Sequence, residues 1–130
     1  ARVTLEVLLE SADVVTLHLP LTPATEGIIS RELLARMKPG ALFINTGRGR
    51  LVDEVALAEA LASGHLAGAG LDVFYDEPTV HPTLLGLDNV VLTPHIGSAT
   101  KAVRELMVES VCKDVARSLS GEPPHCVITT

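Results

Sequence analysis

Aromatic side chains are nearly missing from this sequence: two Phe, one Tyr and no Trp in 130 residues. Its core must therefore be aliphatic. Cysteine is equally scarce. Cys112 and Cys126 lie far apart and form no metal spacing, which reads as free thiols of a reducing compartment such as the cytoplasm. Basic charge is in deficit, with 10 Lys and Arg against 16 Asp and Glu and a net charge of −6. That balance argues against a nucleic-acid surface, which needs a basic stripe. No stretch approaches ~18 unbroken apolar residues, so no membrane span is indicated. No signal peptide is read either, since Arg2 and Glu6 bracket too short an apolar segment. A leader further upstream stays open, because the chain begins at Ala1 rather than Met. Several motifs are missing as well. There is no zinc spacing, no Gly-x-Ser-x-Gly elbow and no Walker loop. Gly64, Gly68 and Gly70 do not fit Gly-x-Gly-x-x-Gly, and Gly47 with Gly49 follows the wrong pattern. These residues hold no phosphate cradle.

What is present is a chain 47% apolar, long enough for one domain with a real core. It is organised around Ala41 to Asp53. Ala41 to Ile44, after Pro39-Gly40, reads as a short strand buried on both faces. Polar and glycine residues follow from Asn45 to Gly49. Asp53 then reads as the N-cap of a helix from about Glu54 to Ser63, with Gly64 as its C′ residue. Thr4 to Glu10 reads as the tail of a helix. Asp13 to Leu19 reads as a strand rich in β-branched residues, stopped by Pro20. Ser30 caps a short helix through Met37. Further strands are expected at Ala67–Val73 and Asn89–Thr93, joined by a loop from Tyr75 to Gly86. A long helix is expected over about Ser98 to Ser120, with apolar residues near a 3.6 period, and an irregular tail beyond Gly121. Strands alternating with helices mean a parallel sheet, here of about four strands. The first strand would lie exposed at an edge, which suggests that the sheet continues upstream.

In a parallel sheet the loops after the strands share one rim, where ligands bind. Arg48 follows the second strand, Glu77 the third and His95 the fourth. An arginine offers a planar fork for a carboxylate. A histidine exchanges a proton near neutral pH, and a carboxylate beside it orients the ring and favours its charged form. Taken singly, each has a plainer reading: a surface charge, a turn residue before Pro78, a solvated ring. Their joint placement favours chemistry. His18, read as mid-strand, and His65, His81 and His125 lack such company and read as structural or solvent-facing. Asp72 closes an apolar strand, where a bare carboxylate is costly unless it is paired. It is either a turn partner or an acceptor for a polar ligand group.

The motifs are specific enough to carry a resemblance. Leu17-His18-Leu19-Pro20-Leu21-Thr22 with Thr25, Met37-Lys38-Pro39-Gly40 and Ile44-Asn45-Thr46-Gly47-Arg48-Gly49 are three of them. Ala60-Leu61 with Gly64, Gly70-Leu71-Asp72-Val73-Phe74 with Glu77-Pro78, and Thr93-Pro94-His95-Ile96-Gly97 are the others. Over essentially its whole length the chain resembles the D-isomer-specific 2-hydroxyacid dehydrogenases. Leu21 to Gly27, His95 to Thr100 and Gly121-Glu122-Pro123 are most similar to the glyoxylate/hydroxypyruvate reductases and related 2-ketogluconate reductases.

The resemblance implies a partial Rossmann-like α/β fold and hydride transfer between NAD or NADP and a short 2-oxo acid. By it Arg48 holds the substrate carboxylate, His95 is the general acid/base, and Glu77 pairs with His95. Asp72 lies near the nicotinamide carboxamide, and Pro20, Thr46 and Gly97 line the cofactor through their backbone. A glutamine at position 77 would have pointed to formate dehydrogenase, so Glu77 argues against that branch. No metal is implied. Neither NAD nor NADP is singled out, because the residue that chooses between them is not in this stretch. Residues 1–97 are expected to be the second half of a dinucleotide-binding domain. Residues 98–120 would be a helix returning to a substrate domain, and 121–130 an irregular tail. The resemblance also implies a homodimer in the full-length protein and an isolated chain that is inactive. An alternative stays open: co-repressors of the same fold keep the Arg-Glu-His set and act by NAD(H)-dependent assembly with protein partners.

Overall fold

Runs of β-branched and aliphatic residues alternate with capped helical stretches along the first 95 positions. The computed structural model, which describes residues 2–126, folds them as alternating strands and helices. Two compact units part between His95 and Ile96. In the first, strands β1 (Val14–Leu17), β2 (Leu42–Asn45), β3 (Gly68–Leu71) and β4 (Val90–Leu92) form one parallel sheet in the order β1-β2-β3-β4. Val15, Phe43, Ala69 and Val90 lie in one register row, and Leu17, Asn45, Leu71 and Leu92 in a second row two residues on. All four strands therefore end at a common rim.

The connections hold α1 (Leu5–Ser11), α2 (Arg31–Ala35), α3 (Glu54–Ala62) and α4 (Pro82–Leu85), each packed on the next. Local chemistry sets their starts. The Ser30 hydroxyl accepts the Leu33 N–H, and Asp53 Oδ1 accepts the Ala56 N–H at 2.9 Å. Thr4 caps α1 in the same way through the Val7 N–H, so α1 is a complete short helix rather than the tail of a longer one. The stretch expected as a loop from Tyr75 to Gly86 carries the single turn α4. A 3₁₀ turn, Gly49–Leu51, precedes α3.

The core is aliphatic around Phe43: Leu9, Val15, Leu34, Leu57, Leu61 and Leu71 are buried with it. It lies on one side of the sheet. Val14 and Leu42 on the other side are 53% and 42% exposed, and so is most of Val91. The expectation that β2 is buried on both faces is thus corrected. An apolar run fixes that a strand forms, but both faces are covered only when elements exist to cover them.

The second unit is built on α5 (Lys101–Leu119), capped by the Thr100 hydroxyl on the Val103 N–H. No residue of α5 is buried. Residues 121–126 turn back onto it without regular structure. Arg117 Nε donates to the Pro123 carbonyl, and the His125 and Cys126 N–H groups donate to Asp114. The remainder of the expected tail, 127–130, lies outside the described residues. No helix among the described residues is long and apolar enough to cross a membrane.

Candidate active site

The loop after β2 is shaped by one buried amide. Asn45 is 2% exposed at the end of β2. Its Oδ1 accepts the Gly47 N–H and its Nδ2 donates to the Arg48 carbonyl, each at 3.0 Å. The turn is closed by a side chain where the strand ladder has ended, and Arg48 is carried outward. The chain then presses on the loop after β3. A Cβ on Gly49 would stand 1.9 Å from the Phe74 carbonyl carbon, so only glycine allows this approach.

On the loop after β3, Glu77 Oε1 accepts the Phe74 N–H at 3.1 Å and Oε2 meets His95 Nδ1 at 2.8 Å. His95 follows β4 with φ +52°, a left-handed conformation rare for a residue with a side chain. Such a residue costs on the order of 1 kcal/mol or more and is held by its surroundings, which is common at functional sites. The His95 bond holds the Glu77 carboxyl below its ordinary value. The Phe74 N–H and the charges of His95 and Arg48 add to this against partial burial. Arg48, Glu77 and His95 all line one cavity of about 340 Å³, with Leu21, Phe74 and Tyr75.

Arg48 also borders a second rim cavity of about 420 Å³, shared with His18, Pro20, Thr46 and Gly47. Here the sequence reading missed a residue. His18 is not mid-strand: β1 ends at Leu17, and the His18 ring bridges two threonine hydroxyls, Thr16 Oγ1 at 2.9 Å and Thr46 Oγ1 at 3.0 Å. The signal lay in Thr16-x-His18 and Thr46 sharing one rim, but it is visible only once the register is known. Asp72 is buried just past β3 and accepts the Thr93 hydroxyl at 2.5 Å. Gly97 belongs to the second unit. His81 borders a wider, largely apolar cavity of about 630 Å³ beside α3 and α4, apart from Glu77. That cavity shares Arg50 and Tyr75 with the acid–base cavity, the guanidinium lying 5.2 Å over the ring. Size alone would favour the wider cavity. The narrower one is the candidate site, because the arginine, carboxylate and imidazole meet there. Among the described residues no group of three His, Cys, Asp or Glu is placed to hold a metal ion.

Comparison with known proteins gives the family of the chain. Residues 1–97 match the family model described as D-isomer specific 2-hydroxyacid dehydrogenase, NAD binding domain. The chain is 50% identical over 126 residues to a glyoxylate reductase of Thermococcus litoralis, covering 96% of this chain and 38% of that protein. It is 48% identical over 115 residues to a D-3-phosphoglycerate dehydrogenase of Mycobacterium leprae, covering 88% and 22%. A solved NADPH-dependent glyoxylate/hydroxypyruvate reductase of Sinorhizobium meliloti, in complex with NADP and malonate, superposes with a TM-score of 0.87. The two are 39% identical over 90% of this chain and 37% of that one. The chain thus spans well under half the length of these relatives.

The rim residues fit one end of a nicotinamide dinucleotide. The Thr46 hydroxyl, held by the His18 ring beside Pro20 and Gly47, is a polar group that suits the neutral carboxamide of such a cofactor. The strand-to-helix turns among these residues hold no Gly-x-Gly-x-x-Gly cradle for the pyrophosphate.

Proposed function

This chain belongs to the D-isomer-specific 2-hydroxyacid dehydrogenase family, and from that premise we propose that it forms the acid–base half of a 2-oxo acid reductase. The substrates are short 2-oxo acids such as glyoxylate or hydroxypyruvate. The observation that carries the reading is the meeting of Arg48, Glu77 and His95 in one cavity. Arg48 pairs its guanidinium with the substrate carboxylate. Because Nδ1 of His95 faces Glu77, Nε2 is the nitrogen that serves the substrate. In reduction it gives its proton to the carbonyl oxygen, and in the reverse direction it takes the proton back. Glu77 holds the ring in that orientation and favours its charged form. NADH or NADPH, when bound, would supply the hydride for the carbonyl carbon. Proton and hydride together convert the 2-oxo acid to the 2-hydroxy acid. Thr46, Pro20 and Asp72 would hold the nicotinamide end, and Gly97 is assigned to the same cofactor by the family resemblance alone.

Residues 1–97 are then the second half of the cofactor domain, and 98–120 a helix that serves a substrate domain, with 121–126 following it without regular structure. The complete enzyme works as a homodimer, and the free thiols Cys112 and Cys126 suit the reducing cytoplasm. Identity to glyoxylate reductases and to phosphoglycerate dehydrogenases is similar, so the common 2-oxo/2-hydroxy acid unit is the class proposed. The test is steady-state kinetics of the complete enzyme with Arg48→Ala. Losing one charge-assisted contact raises KM for the 2-oxo acid by roughly 10- to 100-fold. An unchanged KM removes Arg48 from the carboxylate site.

A further inference from the structure

We infer that Glu54, at the first position of α3, is a positioning residue that fixes the loop after β3 and so aims Glu77 at His95. The inference rests on the acid–base reading above. Once the chain leaves β3, the Phe74 and Tyr75 N–H groups have no ladder partner and need acceptors. Two carboxylates supply them in succession. Glu77 Oε1 takes the Phe74 N–H, and Glu54 Oε2 takes the Tyr75 N–H at 2.8 Å from 21 positions away. Glu77 therefore divides one carboxylate between its own loop and His95. Its aim depends on where the two successive peptides that carry the Phe74 and Tyr75 N–H groups are held.

That stretch of backbone is also gripped from its other side. Arg50 Nε donates to the Tyr75 carbonyl at 3.4 Å, and Gly49 lies against Phe74. Glu54 is the only one of these contacts that comes from α3, which is anchored in the core through Ala56, Leu57 and Leu61. It ties the loop that carries Glu77 to a helix anchored in the core. An acid in the first turn of a helix is ordinarily explained by the helix dipole. Here the helix already has its cap in Asp53, and the Glu54 carboxylate is turned out of the helix to a different loop.

Two substitutions separate the explanations. Glu54→Asp keeps the charge at the helix end but withdraws the carboxylate by about 1.5 Å. Glu54→Gln keeps the reach and an acceptor oxygen but removes the charge. Both suit a helix N-terminus, so neither threatens folding. The readouts, taken on the 130-residue chain by NMR, are the hydrogen-bonded Nδ1 proton and nitrogen of His95 and the exchange rate of the Tyr75 amide. In the unsubstituted chain the His95 signal reports the bond to Glu77. Glu54→Asp is expected to lose that signal and to speed Tyr75 exchange about tenfold, while Glu54→Gln retains both. Loss in both variants also supports the inference, with charge needed as well as reach. Retention of the His95 signal in Glu54→Asp, whether or not Glu54→Gln loses it, overturns the positioning role alone. A His95 signal without the Glu77 bond in the unsubstituted chain overturns the acid–base reading itself, and the inference with it.

Discussion

At the scale of single residues, the chemistry turns on how one carboxylate is shared. Glu77 gives one oxygen to the Phe74 N–H and the other to His95, and its carboxyl is lowered chiefly by the His95 bond. A carboxyl lowered in the folded state stabilises that state above its unfolded value. The contribution is lost as pH falls from the unfolded value through the folded value, because over that window the unfolded chain binds more protons than the folded one. The ordinary value is 4.5. Urea midpoints of the chain and of Glu77→Gln, compared between about pH 3 and about pH 6, should differ fully above that value. They should converge toward the acid end. A difference that stays constant with pH would separate Glu77 from the imidazole.

Residue roles were unevenly legible. Arg48, Glu77 and His95 could be brought together from sequence, because parallel strands end on one side whatever their exact register. Asn45, His18 and Glu54 could not. Asn45 sits in an apolar strand and matters through bonds to Gly47 and Arg48 that only the turn creates. His18 needs the β1–β2 register to meet Thr46, and Glu54 needs the packing of α3 against the loop after β3.

At the scale of elements, the site is an arrangement of loops pressed on one another. The loop after β2 touches the loop after β3 at Gly49, against the Phe74 carbonyl and the Tyr75 nitrogen. Those are backbone atoms, and no rotamer change relieves a new methyl group. Gly49→Ala should destabilise the chain by about 1–3 kcal/mol, seen as a lower urea midpoint, and should weaken the His95–Glu77 bond by displacing the loop. Unchanged stability would show that the two loops are not in this contact. The four strands and the longer helices were legible from period and capping. The 3₁₀ turn and α4 were not, because a single turn is too short to show a period. The open face of β2 escaped notice because apolarity reports suitability for burial and not what is there to cover it.

At the scale of the whole molecule, the sheet presents half of a site. Its rim carries Arg48, Glu77 and His95 around one cavity and Thr46 with His18 around a second, without a phosphate cradle among these residues. The 130-residue chain by itself should therefore bind NADH or NADPH weakly and fail to oxidise either with glyoxylate or hydroxypyruvate. Measurable turnover would contradict this division of labour.

The most direct test of the acid–base assignment is the turnover of glyoxylate by the complete enzyme with and without His95→Ala, at saturating cofactor. Loss of a positioned general acid lowers kcat by roughly 10²- to 10⁴-fold, with cofactor affinity unchanged. Turnover in His95→Ala equal to that of the unsubstituted enzyme would contradict the assignment.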